Sequence, residues 1–128
     1  MLIELDFNSQ KPIYEQLYEQ IILSIASGTL KSGDSLPSVR TLAEEIGINL
    51  HTVNKTYNLL KDEGYLSIDR RKGALVNNLP ITTKVEYEKE LLEQLELLAA
   101  KAYLTGLEQD YFINTCSHYF EHYKGALR

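Results

Sequence analysis

The side chains best suited to binding chemistry are concentrated between residues 38 and 73. Ser38 and Arg40 open a predicted helix, where free backbone N–H groups, the positive end of the helix dipole and a guanidinium group suit a phosphate. The first turns of the next predicted helix carry polar side chains that can hydrogen-bond to base edges in a major groove. These side chains are Asn49, His51, Thr52, Asn54 and Lys55.

A third group of candidate residues forms a predicted hairpin tip with three consecutive cations. Arg71 and Lys72, next to Arg70, can reach phosphates or a minor groove, and Gly73 allows the backbone to approach closely. The order of the three groups along the chain is helix start, second helix and basic hairpin. This order favours DNA recognition more strongly than any one group does.

Each group alone also has an ordinary structural explanation. A capping serine such as Ser38 is usually structural, and Arg40 can pair with Glu44 one helical turn later. A polar helix face or a charged turn usually meets solvent. A winged helix used for protein–protein contact is therefore an alternative interpretation, although such a wing has no need of three adjacent cations.

The hydrophobic spacing predicts the helices that must position these residues. Pro12 is predicted to be the first residue of a helix, since its missing N–H costs nothing there; apolar residues recur every three or four positions after it, and Gly28 is a plausible cap. A second helix is predicted from Ser38 to Ile46, and a third from Asn49 to near Gly64. Gly47 permits the tight turn between them, which predicts a helix-turn-helix. The inward-facing residues of the third helix are Val53, Tyr57 and Leu60.

Short strands complete the first half of the chain. Tyr65–Ile68 and Ala74–Val76 flank the basic tip, and Leu2–Phe7 alternates enough to predict a short edge strand. Leu79-Pro80 marks a boundary, because a proline disfavours helix in the residue before it. We therefore predict a mainly α fold with a small β-wing: a winged helix-turn-helix DNA-binding domain at residues 1–77 and a helical dimerisation tail at residues 78–128.

The tail is predicted to hold two helices, Lys84–Leu104 and Glu108–Tyr123, which Gly106 separates. The first carries a coiled-coil-like leucine seam and the second is rich in aromatic residues. Two helices of this length expose more apolar surface than they can bury alone, so we predict a homodimer. The alternative is packing on the chain's own first helix. The candidate dimerisation residues are Leu91, Leu95, Leu98, Ala102, Phe112, Tyr119 and Phe120.

Charge and composition are compatible with a nucleic-acid partner. The 128 residues carry a net charge of −5, but residues 38–77 hold six basic and five acidic side chains, against five and eight from residue 78 onward. Phosphates respond to a local patch, so the acidic total predicts weak, salt-sensitive non-specific binding. No apolar run reaches the roughly 18 residues of a membrane span, and no signal peptide is recognisable. With Cys116 as the single cysteine, we expect a cytoplasmic protein and no membrane partner.

Other kinds of site find little support in the sequence. There is no phosphate-cradling glycine loop, nucleophile elbow or acid–base pair, so we predict neither an enzyme nor a cofactor. His118 and His122 lie one helical turn apart near Cys116, a spacing that would suit a metal-responsive regulator. Such a pair is more often a surface feature, and we predict no metal site.

The stretch from Gly28 to Ala43, GTLKSGDSLPSVRTLA, resembles the signature of GntR-family regulators. Asn49–Tyr57, Glu63–Leu66 and Lys72-Gly73 continue the match in register, over roughly residues 10 to 77. The short tail resembles the YtrA-like subfamily, whose members dimerise through two tail helices. The resemblance implies a regulator that binds a palindromic double-stranded DNA operator as a homodimer, with repression as the default. An organic effector is the family's usual switch, in larger tails; here an unidentified small-molecule effector stays an open possibility.

The resemblance also assigns roles to individual residues. Arg40 matches the family's DNA-contacting arginine of the second helix, and Thr52 matches its threonine at the recognition helix. Two departures, Leu50 where many relatives have arginine or proline and Asp69 beside the wing, bear on the base sequence that is read. Other positions through which relatives touch DNA are occupied by Asn49, His51, Asn54, Lys55, Lys72 and Gly73.

Overall fold

The computed structural model describes residues 2–81 and 84–126, which form five helices and one two-stranded sheet. The elements divide between two compact units, Met1–Ile81 and Thr82–Arg128. Across the described residues no helix is long and apolar enough to cross a membrane. In chain order the elements are α1 (Ile13–Ala26), α2 (Val39–Ile46), α3 (Leu50–Asp62), β1 (Leu66–Asp69), β2 (Gly73–Val76), α4 (Lys84–Leu104) and α5 (Gln109–Ala126).

The first unit is built around a core in which α3 packs against both α1 and α2. The apolar faces of α1 and α3 meet there because their apolar residues recur at helical spacing. The predicted inward face of α3 is confirmed. Because this face of α3 is buried in the core, the opposite face is exposed and accessible to a partner. The buried residues of the two helices are Leu17, Ile21 and Ile25 on α1, and Val53, Thr56, Tyr57 and Leu60 on α3.

The predicted start of α2, and the turn that follows α2, are confirmed in atomic detail. Ser38 Oγ accepts the backbone N–H of Thr41 at 3.0 Å, so Ser38 is the N-cap. Gly47 ends α2 with φ +69°, a conformation that strains residues bearing a Cβ. Pro12 is the N-cap of α1 rather than its first residue, and its carbonyl accepts the first amides of that helix.

The predicted edge strand at Leu2–Phe7 is wrong. The segment is extended, but glutamine side chains of α1 replace a neighbouring strand: Gln20 Oε1 accepts the N–H of Glu4 and Gln16 Oε1 that of Asp6, both at 2.9 Å. Gln16 Nε2 donates back to the Asp6 carbonyl at 3.0 Å. One helical turn advances about 5.4 Å and two extended residues about 6.6 Å, so the two glutamines match alternate residues of the segment.

The hairpin of β1 and β2 is antiparallel, with Leu66 opposite Val76 and Asp69 opposite Gly73. A third segment, residues 33–36, bonds to the free edge of β2. The N–H of Gly33 donates to the Val76 carbonyl at 2.8 Å, and the N–H of Leu36 donates to the Ala74 carbonyl at 2.8 Å. The hairpin is thereby tied to the loop that leads into α2.

The second unit consists of α4 and α5, and α4 has the predicted bounds. Gly106, with φ +78°, lies two residues after the end of α4, where the sequence predicted the break between the tail helices. Within the described part of this unit no side chain is buried. Leu95 is 39% exposed and Phe120 is 69% exposed, so much of the apolar surface faces outward.

Candidate nucleic-acid interface

The start of α2 presents a cation that pairs with no carboxylate among residues 2–81 and 84–126. Arg40 is exposed in the first turn, two residues after the Ser38 cap. The structure has no ion pair between Arg40 and Glu44, the pairing that the sequence left open. The guanidinium group and the N-terminal end of α2 are therefore both available to an anion.

The first turns of α3 carry the predicted polar side chains on the outside. His51, Asn54 and Lys55 are exposed, and Thr52 is half-buried. Asn49 caps the helix, because its Oδ1 accepts the N–H of His51 at 2.7 Å. Its side-chain carbonyl is thus occupied, and the Nδ2 group is the part left to donate to a base or a phosphate.

The wing tip is organised by Asp69, the acid that stood out as a departure in the sequence. Asp69 Oδ1 accepts the backbone N–H groups of Lys72 at 3.0 Å and Arg71 at 2.7 Å. These two hydrogen bonds hold the pKa of Asp69 below its usual value. Gly73 has φ +78°, which favours glycine at the end of the turn. The carboxylate therefore shapes the tip, while the side chains of Arg71 and Lys72 remain exposed.

The sequence profile of the family described as "Bacterial regulatory proteins, gntR family" matches residues 13–76, from the start of α1 to the end of β2. The chain belongs to the GntR family. It is accordingly a DNA-binding transcription regulator with a winged helix-turn-helix and a helical C-terminal tail, as its sequence predicted.

Similar proteins extend this relationship beyond the winged domain. The HTH-type transcriptional repressor YtrA of Bacillus subtilis strain 168 is 39% identical over 108 residues, which cover 84% of this chain and 83% of the repressor. The solved structure of YtrA from Sulfolobus acidocaldarius, a GntR-family transcription factor, is 36% identical with a TM-score of 0.65, over 81% of this chain and 99% of that one. The AraR DNA-binding domain solved with operator ORX1 is 25% identical with a TM-score of 0.53, over 58% and 95%.

Two residues that position this GntR-family site did not stand out in the sequence. Ser35 Oγ donates to the carbonyl of Lys72 at 3.0 Å, which ties the wing tip to the loop before α2. Tyr57, expected only as a core residue, donates its hydroxyl to the carbonyl of Pro37 at 2.7 Å. Both partners are distant along the chain, so no local pattern indicates these contacts.

The tail places several predicted dimerisation residues around one groove. An open groove of about 350 Å³ lies between α4 and α5. It is lined largely by apolar side chains, and a second helix could cover them. They include Leu95, Phe112, Ile113 and Phe120, with Cys116 beside them.

The tail histidines pair with aromatic rings. His118 lies edge-on to Tyr119 at 5.9 Å between centroids, and His122 lies edge-on to Tyr123 at 5.5 Å. Over residues 2–81 and 84–126 no three histidine, cysteine, aspartate or glutamate side chains lie close enough to hold a metal ion.

Proposed function

We propose that this GntR-family regulator is a repressor that binds a palindromic operator as a homodimer. The observation that carries the proposal is the joint exposure of Arg40, the start of α3 and the wing tip on one compact unit. In this proposal Arg40 and the α2 start grip a phosphate, and the outer side chains of α3 read bases. Lys72, with Arg71, contacts the backbone or the minor groove beside them.

The tail supplies the second copy that a palindrome requires. Two half-sites need two recognition helices in a fixed relation, which a symmetric dimer provides. Burying the exposed part of a leucine such as Leu95 contributes roughly 1 kcal/mol, and several such side chains lie along α4 and α5. Contact across the leucine seam and the groove is the proposed interface.

In this proposal, repression follows from occupancy of the promoter DNA by the dimer. A dimer on promoter DNA would exclude polymerase from the same site, and the B. subtilis relative is named a transcriptional repressor. We expect the regulator to act in the cytoplasm, where such an operator would lie. No effector is required for this mechanism, although a small molecule that binds between tail helices could modulate it.

The test is a fluorescence anisotropy titration against the chain's own upstream promoter DNA and a scrambled duplex, at two salt concentrations. We expect a clear preference for the promoter and affinity that falls with salt. Arg40→Ala and Lys72→Ala should each weaken binding and reduce the salt slope by about 1.8, since each removes one phosphate contact from both subunits of the dimer. Lys61→Ala, in the last turn of α3, is the matched control for loss of a lysine charge.

Equal binding of both DNAs, with and without added zinc, would contradict the proposal. That outcome would favour the other candidate, a winged helix that binds a protein. Unchanged affinity and salt slope in both Arg40→Ala and Lys72→Ala would contradict the assignment of these DNA contacts. The family assignment would stand.

A further inference from the structure

We infer that Tyr14 of α1 is a positioning residue that holds Lys55 ready for a DNA phosphate; this inference rests on the proposed function. The Nζ atom of Lys55 lies 3.8 Å from the centroid of the Tyr14 ring. Lys55 belongs to the exposed side of the recognition helix, whereas Tyr14 lies in the first turn of α1. The contact therefore joins a candidate DNA-binding side chain to a helix with no other candidate contact.

The main chain of Tyr14 is tied to α3 beside Lys55. The next residue of α3, Thr56, is fully buried, and its Oγ1 donates to the Tyr14 carbonyl at 3.1 Å. Two neighbouring residues of α3 thus hold one residue of α1, Thr56 through the main chain and Lys55 through the ring. The hydrogen bond from Thr56 holds the main chain of Tyr14 in place, and the Tyr14 ring in turn holds the ammonium group of Lys55.

An aromatic partner suits this task better than a carboxylate would. Lysine has a long flexible stem, so ordering it at the moment of binding costs conformational entropy. A carboxylate would order the stem but would also neutralise the charge that a phosphate attracts. The face of an aromatic ring attracts the cation and leaves its full charge and its N–H donors available. Lys55 has no ion pair within residues 2–81 and 84–126 of this structure.

The inference distinguishes Lys55 from the wing cations. No ring contact holds Arg71 or Lys72 in the described structure, so their side chains must be ordered by DNA itself. Lys55 is instead ordered before the DNA arrives. Its contribution to operator affinity should therefore depend on a residue that touches no DNA.

The experiment is a double-mutant cycle on operator affinity, read by anisotropy with the full-length chain. Tyr14→Leu should weaken operator binding about two- to five-fold for each subunit, the size of an exposed cation–π contact, and so roughly five- to thirty-fold for the dimer. Tyr14→Phe should bind the operator with the affinity of the unmodified chain, because it keeps the ring. In a Lys55→Ala background Tyr14→Leu should have no further effect. Lys55→Ala should also lower the salt slope by about 1.8, one phosphate contact for each subunit, whereas Tyr14→Leu should leave the slope unchanged because the charge remains.

Tyr18→Leu is the matched control, since Tyr18 lies one turn further along α1 and its hydroxyl donates to Glu63 on the C-terminal side of α3. Its effect should be the same with and without Lys55. If Tyr14→Leu melts much lower than Tyr18→Leu, Tyr14→Met tests the same loss of the ring with more of the packing kept.

Two results would overturn the inference. Equal effects of Tyr14→Leu with and without Lys55 would make the ring a packing element only. Tighter operator binding by Tyr14→Leu would mean that the ring withholds Lys55 from DNA. Absence of any operator preference in the unmodified chain would instead refute the proposed function, so the two failures are distinguishable.

Discussion

Tyr57→Phe removes a single hydroxyl group from the middle of the recognition helix. The Tyr57 side chain is only 2% exposed, and its hydroxyl donates to the Pro37 carbonyl one residue before the Ser38 cap. Phenylalanine fills the same space, so the core stays packed and the change isolates the hydrogen bond. The bond joins α3 to the loop that leads into α2.

The expected cost at neutral pH is about 1 kcal/mol of unfolding free energy. A neutral hydrogen bond contributes roughly 0.5 to 1.5 kcal/mol net, because the unfolded chain bonds to water instead. Pro37 is half-buried, so water can partly replace the lost hydroxyl at its carbonyl. For a unit of this size, 1 kcal/mol lowers the melting temperature by roughly 4 to 8 °C.

Alkaline pH should reverse the order of stability. Burial, and then the negative charge of Glu45, raise the pKa of Tyr57 in the folded chain. Above about pH 10 the unfolded chain loses this tyrosine proton while the folded chain keeps it. The wild type therefore loses about 1.4 kcal/mol per pH unit relative to Tyr57→Phe, and the two curves should cross near about pH 11.

Urea denaturation followed by circular dichroism, at neutral pH and in steps up to the alkaline range, measures both effects. The chain has nine tyrosines, and the eight that are unchanged are common to both proteins, so their contributions cancel in the difference. Equal stability at neutral pH would refute the hydrogen-bond assignment. If the wild type's advantage in unfolding free energy over Tyr57→Phe stays constant or widens above pH ~10, the burial of an un-ionised hydroxyl is refuted.

Three further predictions concern the turn, the wing and the tail. Gly47→Ala should lower the unfolding free energy by about 1 to 2 kcal/mol in a urea titration, since φ is +69° there although an added Cβ would meet no atom within 4 Å; an unchanged midpoint would contradict it. Asp69→Ala should speed hydrogen exchange of the Arg71 and Lys72 amides, which lose their acceptor. In the wild type the same protection should be lost as pH falls through the lowered pKa of Asp69. Equal exchange rates in both proteins would contradict the role of Asp69 in the turn. Leu95→Asp should sediment as a monomer and bind the palindrome more weakly than the parent, whereas an unaltered dimer would place the interface elsewhere.

Local chemistry made most of the first unit predictable. The caps Ser38 and Asn49 and the turn at Gly47 act through hydrogen bonds or backbone angles within three residues, so their effect is legible in the sequence. The apolar spacing of α3 likewise predicted its buried face. The bounds of α4 followed from helical periodicity ended by a glycine.

Contacts between distant residues were out of reach of the same reasoning. Leu2–Phe7 alternates as an edge strand does, because any extended segment with one buried side alternates; that its partners are Gln16 and Gln20 depends on the position of α1. The contact of Lys55 with Tyr14 spans 41 positions and leaves no periodic trace. Asp69 was interpreted from its charge alone, although its carboxylate serves the backbone of the turn.

Because β2 is hydrogen-bonded on both edges, the stability of the hairpin is coupled to that of the loop before α2. An isolated two-stranded hairpin is marginally stable in water, but here residues 33–36 act as a third partner that continues into the Ser38 cap. Opening the hairpin would also break the bonds that anchor the loop before α2, so we expect the two regions to unfold as one cooperative element. If Arg40 and Lys72 hold phosphates as proposed, a phosphate at Arg40 should also stabilise the hairpin, and one at Lys72 should also stabilise the start of α2. Free-energy losses from substitutions at these two sites consequently do not add, because either one loosens the element that both share.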